Sequence, residues 1–94
     1  MFTIEYFRRV VESDIQALPK TMRQRIKKAI ETRLTIDPIG YGKPLQHSLK
    51  GHRRLRVGDY RVVFRIEAER RYVVIVAIAH RKDVYKTLGD TLKN

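Results

Sequence analysis

Apolar positions recur along this chain with two different periods, and the change of period divides it near its middle. In the first part the spacing is three or four. Val11, Ile15 and Leu18 form one stripe, and Met22, Ile26, Ile30 and Leu34 form a second, flanked by Ala29 and Arg33. That spacing predicts two amphipathic helices. Pro19 separates them and suits the first turn of the second helix, while Thr21 with Gln24 offers a capping box as an alternative start. With so short a link the two form an αα-hairpin, which Asp37-Pro38 ends. Ahead of the hairpin, Phe2 to Phe7 is rich in aromatic and β-branched residues and reads as a strand. Residues 39–48, with Gly40, Gly42 and Pro44, read as a loop. Gly40-Tyr41-Gly42-Lys43 lacks the Gly-Lys-Ser/Thr ending and the preceding strand of a phosphate loop, and that reading is rejected.

In the second part the period is two. Arg53 to Val57, Tyr60 to Ile66 and Tyr72 to Ala79 read as strands, with a turn over Glu67 to Arg71. Gly58-Asp59 is a two-residue hairpin loop, and glycine at its first position suits a type II′ turn. Asp83 to Leu88 reads as a short final helix with Val84 and Leu88 facing inward, ended by Gly89. The expected fold is therefore α+β in the order β-α-α-β-β-β. An αα-hairpin packs on one face of a mainly antiparallel sheet, a short C-terminal helix follows, and one domain spans residues 1–94.

The hairpin loop sets a register. Val57 lies opposite Tyr60, Arg56 opposite Arg61, Leu55 opposite Val62, Arg54 opposite Val63, Arg53 opposite Phe64 and His52 opposite Arg65. Side chains alternate between faces, so Leu55, Val57, Tyr60, Val62, Phe64 and Ile66 share a core face. His52, Arg54, Arg56, Arg61 and Arg65 share the other face with Val63. Like charges directly opposite each other destabilise a sheet. Arg56 against Arg61 is thus either a splayed, solvated pair or half of an anion-binding surface, and the arginine fork suits phosphate oxygens. A helix starting near Arg81 would set Arg81 and Tyr85 four apart on one side. Arg54, Arg56, Arg61, Arg81 and Tyr85 would then converge. Tyr85 reads equally as an amphipathic tyrosine at the core edge, and His80 as a hydrogen-bonded strand-end histidine.

Composition sharpens the choice. Lys and Arg number 21 and Asp and Glu 10, so the chain carries +11. Self-repulsion at that density favours a polyanionic partner, nucleic acid or ribosome first, anionic membrane or acidic protein after it. The second helix adds Arg23, Arg25, Lys27, Lys28 and Arg33 against Glu31. There is no cysteine, and His47, His52 and His80 have no metal-ligand spacing with carboxylates, so no metal or cofactor is indicated. Met1 to Arg9 contain Glu5 and no long apolar stretch, so no signal peptide is expected. The longest apolar run, Tyr72 to Ala79, is far short of the ~20 residues of a membrane span. A soluble cytoplasmic protein is expected.

Leu49-Lys50-Gly51, Arg54-Leu55-Arg56-Val57-Gly58-Asp59-Tyr60-Arg61-Val62-Val63-Phe64 and His80-Arg81-Lys82-Asp83-Val84-Tyr85-Lys86 together resemble the RelE branch of the RelE/ParE toxin superfamily. The resemblance implies the toxin of a type II toxin–antitoxin system: a metal-independent endoribonuclease that cleaves mRNA in the ribosomal A site by 2′-hydroxyl attack and so inhibits translation. It implies a RelB-like antitoxin, no membrane and no small-molecule cofactor. Carried over by position, it gives Arg61 the role of transition-state stabiliser, Arg81 that of second phosphate-binding arginine, and Tyr85 that of stacking platform or activator of the hydroxyl. Arg54 and Arg56 stand where the best-known members have lysines. Arginine effectively cannot release its proton, so these two hold phosphate but cannot be general acids. His80 becomes the proton-carrier candidate, because histidine titrates near neutrality. Lys50, Arg65 and Lys82 complete the expected RNA-binding set. Two alternatives stay open: a ParE-like poison of DNA gyrase, and an RNA-binding relic without activity.

Overall fold

The computed structural model describes residues 1–45 and 51–92. Strand β1 (Thr3–Tyr6) leads into a π-wound segment, Val10–Asp14. Helix α1 (Lys20–Ala29) runs into a second π-wound segment, Ile30–Leu34. A single-turn helix α2 (Pro38–Tyr41) and a two-residue strand β2 (Lys43–Pro44) follow. Strands β3 (His52–Val57), β4 (Tyr60–Glu67) and β5 (Tyr72–His80) precede helix α3 (Val84–Leu92). The five strands form one sheet in the order β1-β5-β4-β3-β2, in which β1 runs parallel to β5 and every other pair is antiparallel. The fold is α+β, as expected. Among the described residues no helix is long and apolar enough to cross a membrane.

The β3–β4 hairpin has the register read from its loop, pair for pair from Val57–Tyr60 to His52–Arg65. Gly58 sits at φ +61°, a left-handed conformation that costs glycine little, and Asp59 keeps a negative φ, as a type II′ turn requires. Between β4 and β5 the register slips once: Val63 faces Ala77 but Phe64 faces Ile75, leaving Val76 as the extra residue of a bulge. The bulge lets Ile75 and Ile78, three apart, both face the helical hairpin. Val74, Val76 and Ala77 are turned to the other side, under α3. Both faces of β5 are thus buried, which is why its sequence is continuously apolar.

The helical hairpin departs from expectation in an instructive way. The buried residues of its first arm are Val10, Asp14 and Leu18, not the Val11–Ile15–Leu18 stripe; Val11 is 47% exposed. Ile15 N–H reaches back five residues to the Val10 carbonyl at 2.9 Å, and that wider winding brings residues four apart into line. The central buried residue is a carboxylate, which an apolar pattern cannot reveal. Beyond Tyr6, β5 has no neighbouring strand on that side, and Asp14 Oδ2 accepts the Ile78 N–H at 3.0 Å in its place. Asp14 also pairs with Arg9 at 3.2 Å. In the second arm Ile26, Ala29, Ile30 and Leu34 are buried, and Pro19 stands just ahead of α1 as its N-cap.

Two further expectations are corrected. The stretch expected to be loop contains α2, because Asp37 caps it: its Oδ1 accepts the Gly40 N–H at 2.9 Å, with proline at the first helical position. Arg53 then pins the following chain by donating to the carbonyls of Ile39 (3.1 Å) and Gly42 (3.0 Å). Nor does Gly89 end the last helix, which continues to Leu92. Thr91 is buried there, donating to the Thr87 carbonyl at 3.1 Å and accepting from Arg9 at 3.3 Å, so tertiary contacts outweigh the glycine.

Candidate active site

Helix α3 crosses the second face of the sheet but covers only part of it. Val84 and Leu88 pack onto Val63, Val74, Val76 and Ala77, with Leu45 beside them. What α3 leaves open is a groove of about 370 Å³ lined by Arg54, Arg61, Arg81, Lys82 and Tyr85 over an apolar floor that includes Val63. The strand pleat brings Arg54 from β3 and Arg61 from β4 to this face. Arg81 and Lys82 come from the turn after β5.

Arg81 and Tyr85 meet here for a different reason from the one expected. The helix begins at Val84, so the two are not on one helical face. Instead the His80 carbonyl accepts the Asp83 N–H at 2.8 Å and His80 Nδ1 accepts the Lys82 N–H at 3.2 Å, which closes a turn that swings Arg81 back over the sheet. Asp59 holds it there: its backbone carbonyl accepts the Arg81 N–H at 2.7 Å and its carboxylate lies 3.6 Å from Arg81 Nε. Sequence reasoning missed this role of Asp59; its place in the hairpin loop was the available signal.

Arg61 folds back on the same loop, donating to the carbonyls of Gly58 (3.1 Å) and Tyr60 (3.0 Å). Burial, and then the charges of Arg56, Arg54 and Arg81, lower its pKa below the ordinary guanidinium value, with Asp59 opposing them. It remains a cation at neutral pH, but one surrounded by like charges, and an anion in the groove would relieve them. Tyr85 is 57% exposed, so its ring is free to stack on a ligand.

Other expected site residues lie elsewhere. His80 points to the hairpin side of the sheet, its ring edge-on to Tyr60 at 5.5 Å. It lines a separate cleft with Arg9, Asp14 and Thr87. Strand parity explains this: His80 pairs with Tyr60, which is on the core face. Arg65 shares the arginine face but sits toward its far end, over the Phe7 ring at 5.4 Å and 3.6 Å from Glu67. Arg56 pairs with Arg61 across the strands, yet at the sheet edge it lines a different cleft, with residues of α1. Lys50 lies outside the described residues. A further cleft of about 300 Å³ between the arms of the helical hairpin is apolar, lined by Val11, Ile15, Ile26 and Ile30 among others. Tyr6, Arg23, Lys27 and Glu31 also line it, but its surface is mostly apolar, unlike that of the arginine groove.

A family model described as the ParE toxin of type II toxin–antitoxin systems matches residues 6–85. The chain belongs to the RelE/ParE toxin superfamily. Its similarities place it on the RelE-like branch. It is 32% identical over 80 residues to toxin RelG of Mycobacterium tuberculosis, covering 85% of this chain and 92% of that protein. It is 36% identical over 73 residues to toxin RelE of the same organism, covering 78% and 75%. Its fold matches a chain in the crystal structure of the RelBE2 toxin–antitoxin complex of M. tuberculosis with a TM-score of 0.79 at 30% identity, covering 85% of this chain and 98% of that one. Isolated Escherichia coli RelE shares the fold at 17% identity and a TM-score of 0.69, covering 85% and 84%. The protein is a type II toxin of the RelE family, and the arginine groove is the toxin's candidate active site.

Proposed function

We propose that this toxin is a ribosome-dependent endoribonuclease that cuts mRNA in the A site. The observation that carries the reading is the convergence of Arg54, Arg61, Arg81, Lys82 and Tyr85 on one groove. In the reaction the 2′-oxygen of one nucleotide attacks the next phosphorus. The bond from phosphorus to the 5′-oxygen breaks, and a 2′,3′-cyclic phosphate and a 5′-hydroxyl result. Negative charge gathers on the phosphoryl oxygens in the transition state. Fixed cations at that point stabilise it without reorganising. Arg61 and Arg81 take that part, Arg54 holds a neighbouring phosphate, and Tyr85 stacks on a base or accepts the 2′-proton.

Proton delivery to the leaving oxygen cannot fall to the arginines. With His80 on the other side of the sheet, Lys82 is the ammonium that lines the groove among the described residues. An open groove with so few proton carriers depends on having its RNA held in line, and the ribosome supplies that. The partner that silences the toxin is an acidic or amphipathic RelB-like antitoxin. Relatives of the same fold are solved as RelB–RelE complexes, from M. tuberculosis and Methanococcus jannaschii among others, and the +11 charge suits such a cover. The toxin acts in the cytoplasm, where its message is.

The gyrase-directed reading is disfavoured by the Arg61, Arg81 and Tyr85 set. Inducing the toxin without its antitoxin and mapping RNA 5′ ends on translated and untranslated copies of one message tests the proposal. Cuts confined to translated codons, and lost in R61A, are expected. Growth arrest with intact mRNA and broken DNA would replace the nuclease with a gyrase poison.

A further inference from the structure

Beyond the groove, the rim of the sheet carries a second positive cleft. Arg25, Lys28 and Arg33 from the helical hairpin meet Arg56 from β3 around a depression of about 190 Å³. All four are exposed, and among the described residues no carboxylate lines it. Cations gathered this way repel one another. Arg33 also lies over the Tyr41 ring at 5.9 Å, but the buried stripe of the hairpin, Ile26, Ala29, Ile30 and Leu34, uses none of the four.

The cleft is continuous with the groove through one cross-strand pair and one turn. Arg56 faces into the cleft, and its partner Arg61 faces into the groove. Residues opposite each other in such a pair lie about 5 Å apart at Cβ. The Gly58 turn is shared in the same way. Arg61 donates to its carbonyl from one side, while on the other Arg25 approaches so closely that a Cβ on Gly58 would lie 3.1 Å from Arg25 Nη1. A strand lying in the groove that continues past this edge meets Arg56 and then the cations of the helical hairpin.

We infer that the Arg25–Lys28–Arg33–Arg56 cleft binds the backbone of the same single-stranded RNA beyond the nucleotides held in the groove. The inference rests on the nuclease reading for the strand's presence in the groove, but its test needs no cleavage. The chemistry favours nucleic acid over a protein segment. The lining is cationic and small, whereas a docked helix wants an apolar stripe of the kind found in the Val11–Ile15–Ile26–Ile30 cleft.

The probes are labelled RNAs of about 3 and about 12 nucleotides, made uncleavable by 2′-O-methylation and read by fluorescence anisotropy over a salt series. Extending the RNA should tighten binding to the wild-type toxin at least tenfold. In the Arg25→Glu/Lys28→Glu double variant that gain should vanish, and the salt slope for the longer RNA should fall by about 1.4, two phosphate contacts at ~0.7 each. The shorter RNA should bind within twofold of wild type. R61A should weaken both. Circular dichroism of the double variant, and of the corresponding double alanine, guards against misfolding. Unchanged length dependence in the folded variants overturns the inference even where cleavage is found, and its loss upholds the inference even where cleavage is not. Loss confined to a duplex RNA, or to a polyglutamate probe, would also overturn it and give the cleft to structured RNA or to an acidic protein.

Discussion

The two faces of the sheet are built from the same strands to opposite ends. Along β4, Tyr60, Val62, Phe64 and Ile66 turn to the helical hairpin, while Arg61, Val63 and Arg65 turn to the side of α3. The hairpin side is a closed core: Val62, Phe64, Ile75 and Val73 are fully buried against Val10, Ile26, Ile30 and Leu34. The α3 side is closed only where Val84 and Leu88 reach, and the rest is guanidinium. Cross-strand repulsion such as Arg56 against Arg61 works against the sheet. It is tolerated because the same hydrogen-bonded ladder is held from behind by the hairpin core. Stability is concentrated on one face, and the candidate active site occupies what the other leaves uncovered.

The sharpest way to break that comparison is to truncate two residues of β4 on opposite faces. Phe64→Ala should cost about 3–5 kcal/mol of stability, the transfer and cavity loss of a buried aromatic ring. R61A should lose cleavage by about 10²–10³-fold. Its stability should stay within about 0.5 kcal/mol of wild type, or rise slightly, because Arg54, Arg56 and Arg81 lose a repelling neighbour. Urea denaturation of both proteins decides it. A loss in R61A comparable to that in F64A would show that the groove contributes to the core after all.

Gly42 tests how tightly the hairpin face is closed. A Cβ there would lie 2.4 Å from Phe64 Cζ and 2.9 Å from the Pro38 carbonyl oxygen, one of which is backbone and cannot yield. Gly42→Ala should destabilise the toxin by about 1–3 kcal/mol through overpacking, with the groove residues untouched. A melting temperature equal to wild type would mean that α2 shifts freely and that the face is less closed than it looks.

The two faces were also unequally legible. The groove face was readable because it depends on short-range rules: a Gly-Asp loop sets the register, and parity of two then assigns every side chain of β3 and β4 to a face. That rule alone puts Arg54 and Arg61 on the groove face. His80 was a candidate by elimination, since arginines cannot release a proton, and not by register; its pairing with Tyr60 puts it on the hairpin side. The hairpin's own details were less readable. Its π-wound arms change the period, and Asp14 sits in the buried stripe because β5 lacks a strand partner beyond Tyr6, a fact of the assembled sheet and not of the local sequence.

That carboxylate separates the faces in a pH titration. Burial raises the Asp14 pKa above its ordinary value, against the lowering effects of the Ile78 N–H and Arg9. The folded chain therefore takes up this proton more readily than the unfolded chain. Asp14's contribution to stability falls as pH rises from the ordinary value of 3.8 through the raised one. Asp14→Asn keeps an oxygen for Ile78 but loses the charge facing Arg9, and should cost about 1 kcal/mol at neutral pH. The cost should grow on acidification, because the variant lacks this titration. Urea midpoints measured across the acid range check the sign. A cost that shrinks toward low pH would mean that the ion pair with Arg9, not burial, governs the group.

The smallest effect concerns the helix that decides how much of the second face is covered. Gly89 lies within α3, on its exposed side, and a Cβ added there meets nothing within 4 Å. Glycine costs a helix interior about 0.5–1 kcal/mol relative to alanine, largely through the freedom of the unfolded chain. Gly89→Ala should therefore stabilise the toxin by that amount. The packing of Val84 and Leu88, and with it the outline of the groove, should not change, so cleavage should stay at the wild-type rate. A gain in stability accompanied by a fall in cleavage would show that α3 must loosen for RNA to enter, which would make the uncovered part of this face a matter of the helix's motion and not of its length.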